Sequence, residues 1–138
     1  MLFMKLEPTE KQKTGALGEE IACKFLISKG LRVVARNYRK KFGELDVVAE
    51  KSKVIHFIEV KTFSRENLGE GSAELKDSFR PEDNVHPAKL KRLSRAIQVY
   101  LLENKIGEGV DWQFDVVTVL LDAKNKIARV KMLEDIIL

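Results

Sequence analysis

A chain of 138 residues, 44% hydrophobic and 33% charged, is long enough to bury about two thirds of its unfolded surface as one domain, with no need of disulfides or a structural metal. Its single cysteine, Cys23, cannot form an internal disulfide, and no cysteine spacing resembles a metal site, which points to a reducing, cytoplasmic compartment. No apolar run approaches a membrane span and Met1–Lys5 is too short for a signal-peptide core, while a formal charge of +4 permits a nucleic-acid partner without requiring one.

The first element is a helix over Thr14–Lys29, with Leu17, Ile21, Ala22, Phe25 and Leu26 on one broad stripe and Gly30 as its C-terminal cap. Leu31–Tyr38 follows as a strand, and Arg39-Lys40-Lys41 leads into a second strand, Gly43–Ala49, dominated by β-branched residues after its glycine. Lys51-Ser52-Lys53 is a hairpin turn into a third strand, Val54–Thr62. Ser64–Asn84 is polar, glycine-bearing and without a period, the length of loop that is usually functional or mobile. Pro87 opens a second helix through Leu90, Leu93, Ile97 and Leu101, ending near Asn104 and Gly107. Trp112–Leu121 and Ile127–Met132 are the last strands, turning through Asp122–Lys126. Helix, three strands, helix, two strands is the order of a single α/β domain, with no repeat and no linker.

The chemistry concentrates on Asp46 and on Glu59-Val60-Lys61. Alternation places Glu59 and Lys61 on one face with Ile55 and Phe57, so an apolar face turns charged at its end. Two carboxylates and a lysine at the end of a hydrophobic sheet are costly unless they bind something. Asp46 and Glu59 are the metal-ligand candidates for Mg2+ or Mn2+, which takes oxygen ligands and usually only one or two protein carboxylates. The Val60 carbonyl could add a ligand, and Lys61 would sit beside an attacking water and the scissile phosphate. Register decides whether such a site can exist. Asp46 faces Glu59 if Lys51 pairs with Val54 around a two-residue turn, Ser52-Lys53, whereas a three-residue turn without a bulge puts Asp46 on the wrong face.

Glu19 falls at the margin of the first helix's apolar stripe, where it is either a further ligand or a favourable charge near the helix start. Glu44 is a candidate neighbour of Asp46. Lys89 projects from the flank of the second helix toward the same region. With Lys91, Arg92, Arg95, Arg36, Arg39, Lys40 and Lys41 it could line a groove for phosphates, since phosphate contacts dominate nucleic-acid affinity. His56, on the face opposite Glu59, and His86, in the loop, read as structural. Trp112 and Phe114 read as core rather than as a base-stacking platform.

Gly15-x-x-Gly18-Glu19, Arg36-Asn37-Tyr38-Arg39, Gly43-Glu44-Leu45-Asp46, Glu59-Val60-Lys61-Thr62, Lys89-x-x-Arg92-Leu93 and Phe114-Asp115-Val116-Val117, in that order, resemble the YraN family of uncharacterised bacterial proteins. That family is similar to the PD-(D/E)XK nucleases and to archaeal Holliday-junction resolvases. The resemblance runs from about Thr14 to Leu121. It implies a restriction-endonuclease-like fold, with a mixed central sheet flanked by helices. It assigns Asp46, Glu59 and Lys61 to an acid-acid-lysine site and Glu19 to the extra helical carboxylate of the resolvase-like branch. It also implies a Mg2+- or Mn2+-dependent nuclease acting on DNA, of branched or otherwise unusual structure, and a homodimer able to pair two cuts; the alternative is a non-catalytic nucleic-acid-binding module of the same fold. Three departures stand out: no proline precedes Asp46, Gln113 and Phe63 stand where related sequences often have arginine, and Ser64–Asn84 is longer than is common.

Overall fold

A computed structural model of the chain describes residues 9–64, 87–122 and 124–138. Most of the Ser64–Asn84 loop, and His86, lie outside the described residues.

The first helix, α1, spans Glu10–Ser28 and starts four residues before the expected Thr14. Thr9 is its N-cap: the Gln12 N–H donates to Thr9 Oγ1 at 3.1 Å and the Thr9 N–H donates to Gln12 Oε1 at 2.9 Å. This reciprocal pair satisfies two amides that a helix start leaves open. The buried face is Gly18, Ala22, Cys23 and Leu26, whereas Leu17, expected on the stripe, is 51% exposed. The stripe is turned because Gly18 is a contact point: a Cβ there would collide with the side chain of Thr62. Gly30, at φ +89°, closes the helix.

Five strands follow: β1 (Arg32–Lys40), β2 (Gly43–Lys51), β3 (Val54–Ser64), then β4 (Asp111–Asp122) and β5 (Ile127–Leu133) after the second helix, α2 (Pro87–Glu103). Arg39 and Lys40 belong to β1 rather than to a connection. The spatial order is β1-β2-β3-β4-β5, with β3 and β4 parallel and the other pairs antiparallel. Parallel neighbours need a long crossover, and the segment from β3 through α2 to β4 supplies it.

The two faces carry separate cores. Leu45, Val48, Ile55, Phe57, Phe114 and Val116 pack with Leu93, Ala96, Ile97 and Tyr100 of α2. Val47, Ala49, Ile58, Val117 and Val119 pack with Ala22, Cys23 and Leu26 of α1. Adjacent residues of β3 and β4 thus alternate between the helices, and the sheet is buried on both sides. The result is a three-layer α/β domain with a mixed sheet, compatible with the restriction-endonuclease-like architecture.

A buried polar tie holds the C-terminal segment to this sheet. Asp115, with no exposure, accepts hydrogen bonds at Oδ1 from Gln113 Nε2 (2.8 Å) and from the Asp135 N–H (2.9 Å). His56 Nδ1 lies 2.6 Å from its other oxygen. Trp112, expected in the core, packs edge-on against Phe57 but remains 38% exposed.

Candidate metal and phosphate site

The β2–β3 hairpin sets the site. Lys51 pairs with Val54, and Ser52 and Lys53 form a two-residue turn with φ of +52° and +67°, the left-handed pair that matches the twist of hairpin strands. The ladder ends at Val47 opposite Ile58, and Asp46 and Glu59 follow directly beyond this last pair. There the strands part. Leu45 packs on the α2 side although Val47 and Ala49 pack on the α1 side, so the alternation of β2 breaks at Asp46. The Val60 N–H donates to Asp46 Oδ2 at 2.8 Å, and the carboxylate takes the place of a backbone acceptor.

The parting opens a cleft of about 920 Å3 at the end of the sheet, reached from both helical layers. Asp46, Glu59, Lys61, Glu19 and Lys89 all line it. Glu59 is 8% exposed. Its Oε1 forms ion pairs with Lys89 Nζ and, at 3.5 Å, with Lys61 Nζ. Its Oε2 is buried and has no hydrogen-bond partner among the described residues. A buried, unpartnered carboxylate oxygen beside a second carboxylate is the donor set that a hard divalent cation takes up, so the residues fit Mg2+ or Mn2+.

Burial pushes the Asp46 carboxyl up to about 6. The Val60 N–H opposes that rise, and repulsion from Glu59, Glu19 and Glu44 adds to it. Desolvation, rather than the repulsion between the two acids, is therefore the main cause. Lys61 is lowered by burial and by neighbouring Lys89, against the pull of Glu59. Burial acts to lower Lys89 as well, but its bonds to Glu59 carry it above the ordinary value.

Both helices reach the site through glycines. Gly18 lets α1 lie against Thr62, next to Lys61, and brings Glu19 into the cleft. A Cβ on Gly43 would stand 2.5 Å from the Arg92 carbonyl oxygen, so that glycine admits α2 and with it Lys89.

Of the basic residues expected in the groove, Lys40, Lys89 and Arg92 line the cleft. Lys40 also pairs with Glu103 at 2.8 Å, Arg39 pairs with Glu44 at 2.7 Å and Arg36 pairs with Glu20 at 3.0 Å. Lys41, Arg95, Arg39 and Arg36 do not line it. Lys11 does, and the sequence reading missed it by starting the helix at Thr14; the Thr9-x-x-Gln12 capping pattern was the available signal. Among the described residues, the one set of three ligand-type side chains within 4.8 Å of one another is His56, Asp115 and Glu134. Both Asp115 oxygens there are already engaged, which makes it a structural tie. Asp46, Glu59 and Glu19 share their cleft without so tight a grouping.

The model of the uncharacterised protein family UPF0102 matches residues 18–119. The chain belongs to that family, the YraN family of the resemblance above. A UPF0102 protein of Alkaliphilus oremlandii is 40% identical over 119 residues, covering 84% of this chain and 92% of that one. One from Campylobacter jejuni subsp. doylei is 34% identical over 108 residues, 78% and 84% of the two chains. One from Helicobacter hepaticus is 40% identical over 95 residues, 69% and 74%. The matched segment contains every acidic and basic residue of the cleft named above except Lys11. Among the described residues no helix is long and apolar enough to cross a membrane.

Proposed function

We propose that this protein is a metal-dependent nuclease that hydrolyses DNA phosphodiesters, with branched DNA as the favoured substrate. The observation that carries this reading is Glu59 Oε2, a buried carboxylate oxygen with no partner among the described residues, in a cleft shared with Asp46 and Lys61. Asp46, Glu59 and the Val60 carbonyl would hold Mg2+ or Mn2+, with Glu19 as a further carboxylate. Bound there, the ion supplies Lewis-acid activation of the phosphate and of water. Lys61 holds the attacking water against the phosphorus, and burial beside Lys89 lowers its proton affinity, so its ammonium gives way more readily to the free amine that can take the water's proton. Arg92 and Lys40 offer charge to the flanking phosphates.

The test is purified protein with Mn2+ on linear, single-stranded and four-way-junction DNA. Cleavage is expected, and Asp46→Asn should abolish it while leaving DNA binding intact or slightly stronger, because a negative charge facing phosphate is gone. Absence of cleavage, with tight binding untouched by Lys61→Ala, would instead assign a nucleic-acid-binding module. Loss of any salt-dependent DNA affinity would remove both readings. A symmetric dimer would pair two cuts on a junction; a monomer by light scattering at working concentration would remove paired cutting alone.

A further inference from the structure

Glu59 Oε1 is bound by two ammonium groups while Oε2 has no partner among the described residues. Of the two lysines, Lys61 is on the same strand, two residues from Glu59, and stands off at 3.5 Å. Lys89 comes from the first turn of α2 and makes the closer contact. A single ion pair would suffice to neutralise Glu59, yet α2 is brought against Gly43 closely enough to deliver a second cation to the same oxygen. A divalent ion on either Glu59 oxygen would bring two more positive charges within a few ångströms of that ammonium, where the low dielectric of a partly buried site makes repulsion strong. Lysine is suited to leaving, being a point charge on a flexible stem.

Resting on the nuclease reading, we propose that Lys89 is a built-in counter-ion of Glu59, displaced when a divalent cation binds, and that the released ammonium then meets a phosphate of the substrate. The metal-free cleft is thereby kept neutral and closed to stray cations. Occupancy by metal and presentation of a phosphate-binding lysine become one event.

Two measurements test this on the whole chain. Manganese affinity, read from free Mn2+ by electron spin resonance, should tighten on the order of tenfold in Lys89→Met, equivalent to about 1.4 kcal/mol. Arg92→Gln, which removes the same charge from the cleft without touching Glu59, should leave it within about twofold. In the unmutated protein, labelling of the Lys89 amine by acetic anhydride, read by mass spectrometry, should rise on adding Mn2+ and should not rise in Asp46→Asn. Equal or weaker Mn2+ binding in Lys89→Met, or unchanged Lys89 labelling in a protein that does bind Mn2+, overturns the displacement and leaves the nuclease reading standing. No Mn2+ binding by the unmutated protein at millimolar concentration overturns both.

Discussion

Replacing Asp46 by Asn should stabilise the metal-free protein at neutral pH, and the size of the gain follows from the site. The Asp46 carboxyl moves from an ordinary 3.8 to about 6 on folding, and at about 1.36 kcal/mol per unit this is roughly 3 kcal/mol. The folded state binds the proton more tightly than the unfolded chain does. The stability supplied by protonated Asp46 is therefore fully present below about pH 4 and is lost as pH rises through about 6. Asparagine removes the charge, keeps the shape, and its carbonyl can still accept the Val60 N–H. Solvent at the open side of the cleft screens part of the gain, and trading a charged for a neutral acceptor takes back about 1 kcal/mol. A net gain of about 1–2 kcal/mol remains, or a rise of about 3–6 °C in Tm for a domain of this size.

The assay is thermal unfolding of both proteins in chelator across pH 4 to 8. The advantage of Asp46→Asn should be largest at pH 7–8 and vanish toward pH 4. Saturating Mn2+ should then reverse the order, because only the unmutated protein gains binding energy, about 2.7 kcal/mol at a hundredfold excess over Kd. A mutant less stable than its parent at pH 7.5, or a difference that ignores pH, would refute the argument that burial and like charge set the state of this carboxyl.

Gly18→Ala should cost about 1–3 kcal/mol, since the added methyl meets Thr62 and α1 must move off the sheet; a Tm unchanged by the substitution would show that the contact is soft. Asp115→Ala should cost about 3 kcal/mol, because His56, Gln113 and the Asp135 N–H lose their acceptor together; hydrogen exchange should rise first around Asp135 and Ile136, and unchanged protection there would dismiss the tie. Lys53→Gly should raise stability by about 0.5–1 kcal/mol, as the residue sits at φ +67° in the hairpin turn; a lowered Tm would mean that glycine's unfolded-state entropy outweighs the relief.

The hairpin was legible as far as Val47 because strand parity and turn length are local properties: the two-residue turn fixes the pairs from Lys51–Val54 to Val47–Ile58, but not the break in alternation at Asp46 just beyond them. The cores of β3 and β4 were legible for the same reason, as alternate runs of Ile, Val and Phe. What the sequence hid is tertiary. Gly18 and Gly43 lie in a helix and at a strand start, where a glycine usually weakens the element, and only the approach of Thr62 and of α2 explains them. Arg36 reads as a free cation until β1 is seen to lie beside Glu20. The parallel pairing of β3 with β4 rests on a crossover whose length, not whose pattern, permits it. Lys89 was half legible: helical phase put it on the flank of the buried stripe, but its partner could not be named before α2 was placed against the sheet.

Two buried carboxylates in this one sheet make the distinction between structure and chemistry concrete. Asp115 has both oxygens filled, by a histidine, a glutamine and a backbone amide from three segments, and does not line the cleft that holds Glu59. Such a group is satisfied in the folded chain and asks for nothing further. Glu59 has one oxygen shared by two lysines and the other unpartnered among the described residues, at the point where two strands part. A residue selected only to hold β3 against α2 would need one lysine and would gain from filling its second oxygen. Glu59 leaves a buried oxygen unfilled among the described residues, and the neighbouring Asp46 is held up near 6; each is a cost to folding of its own kind. On the nuclease reading a divalent cation would relieve both the unfilled Glu59 oxygen and the buried Asp46 charge, which packing alone leaves unaccounted for.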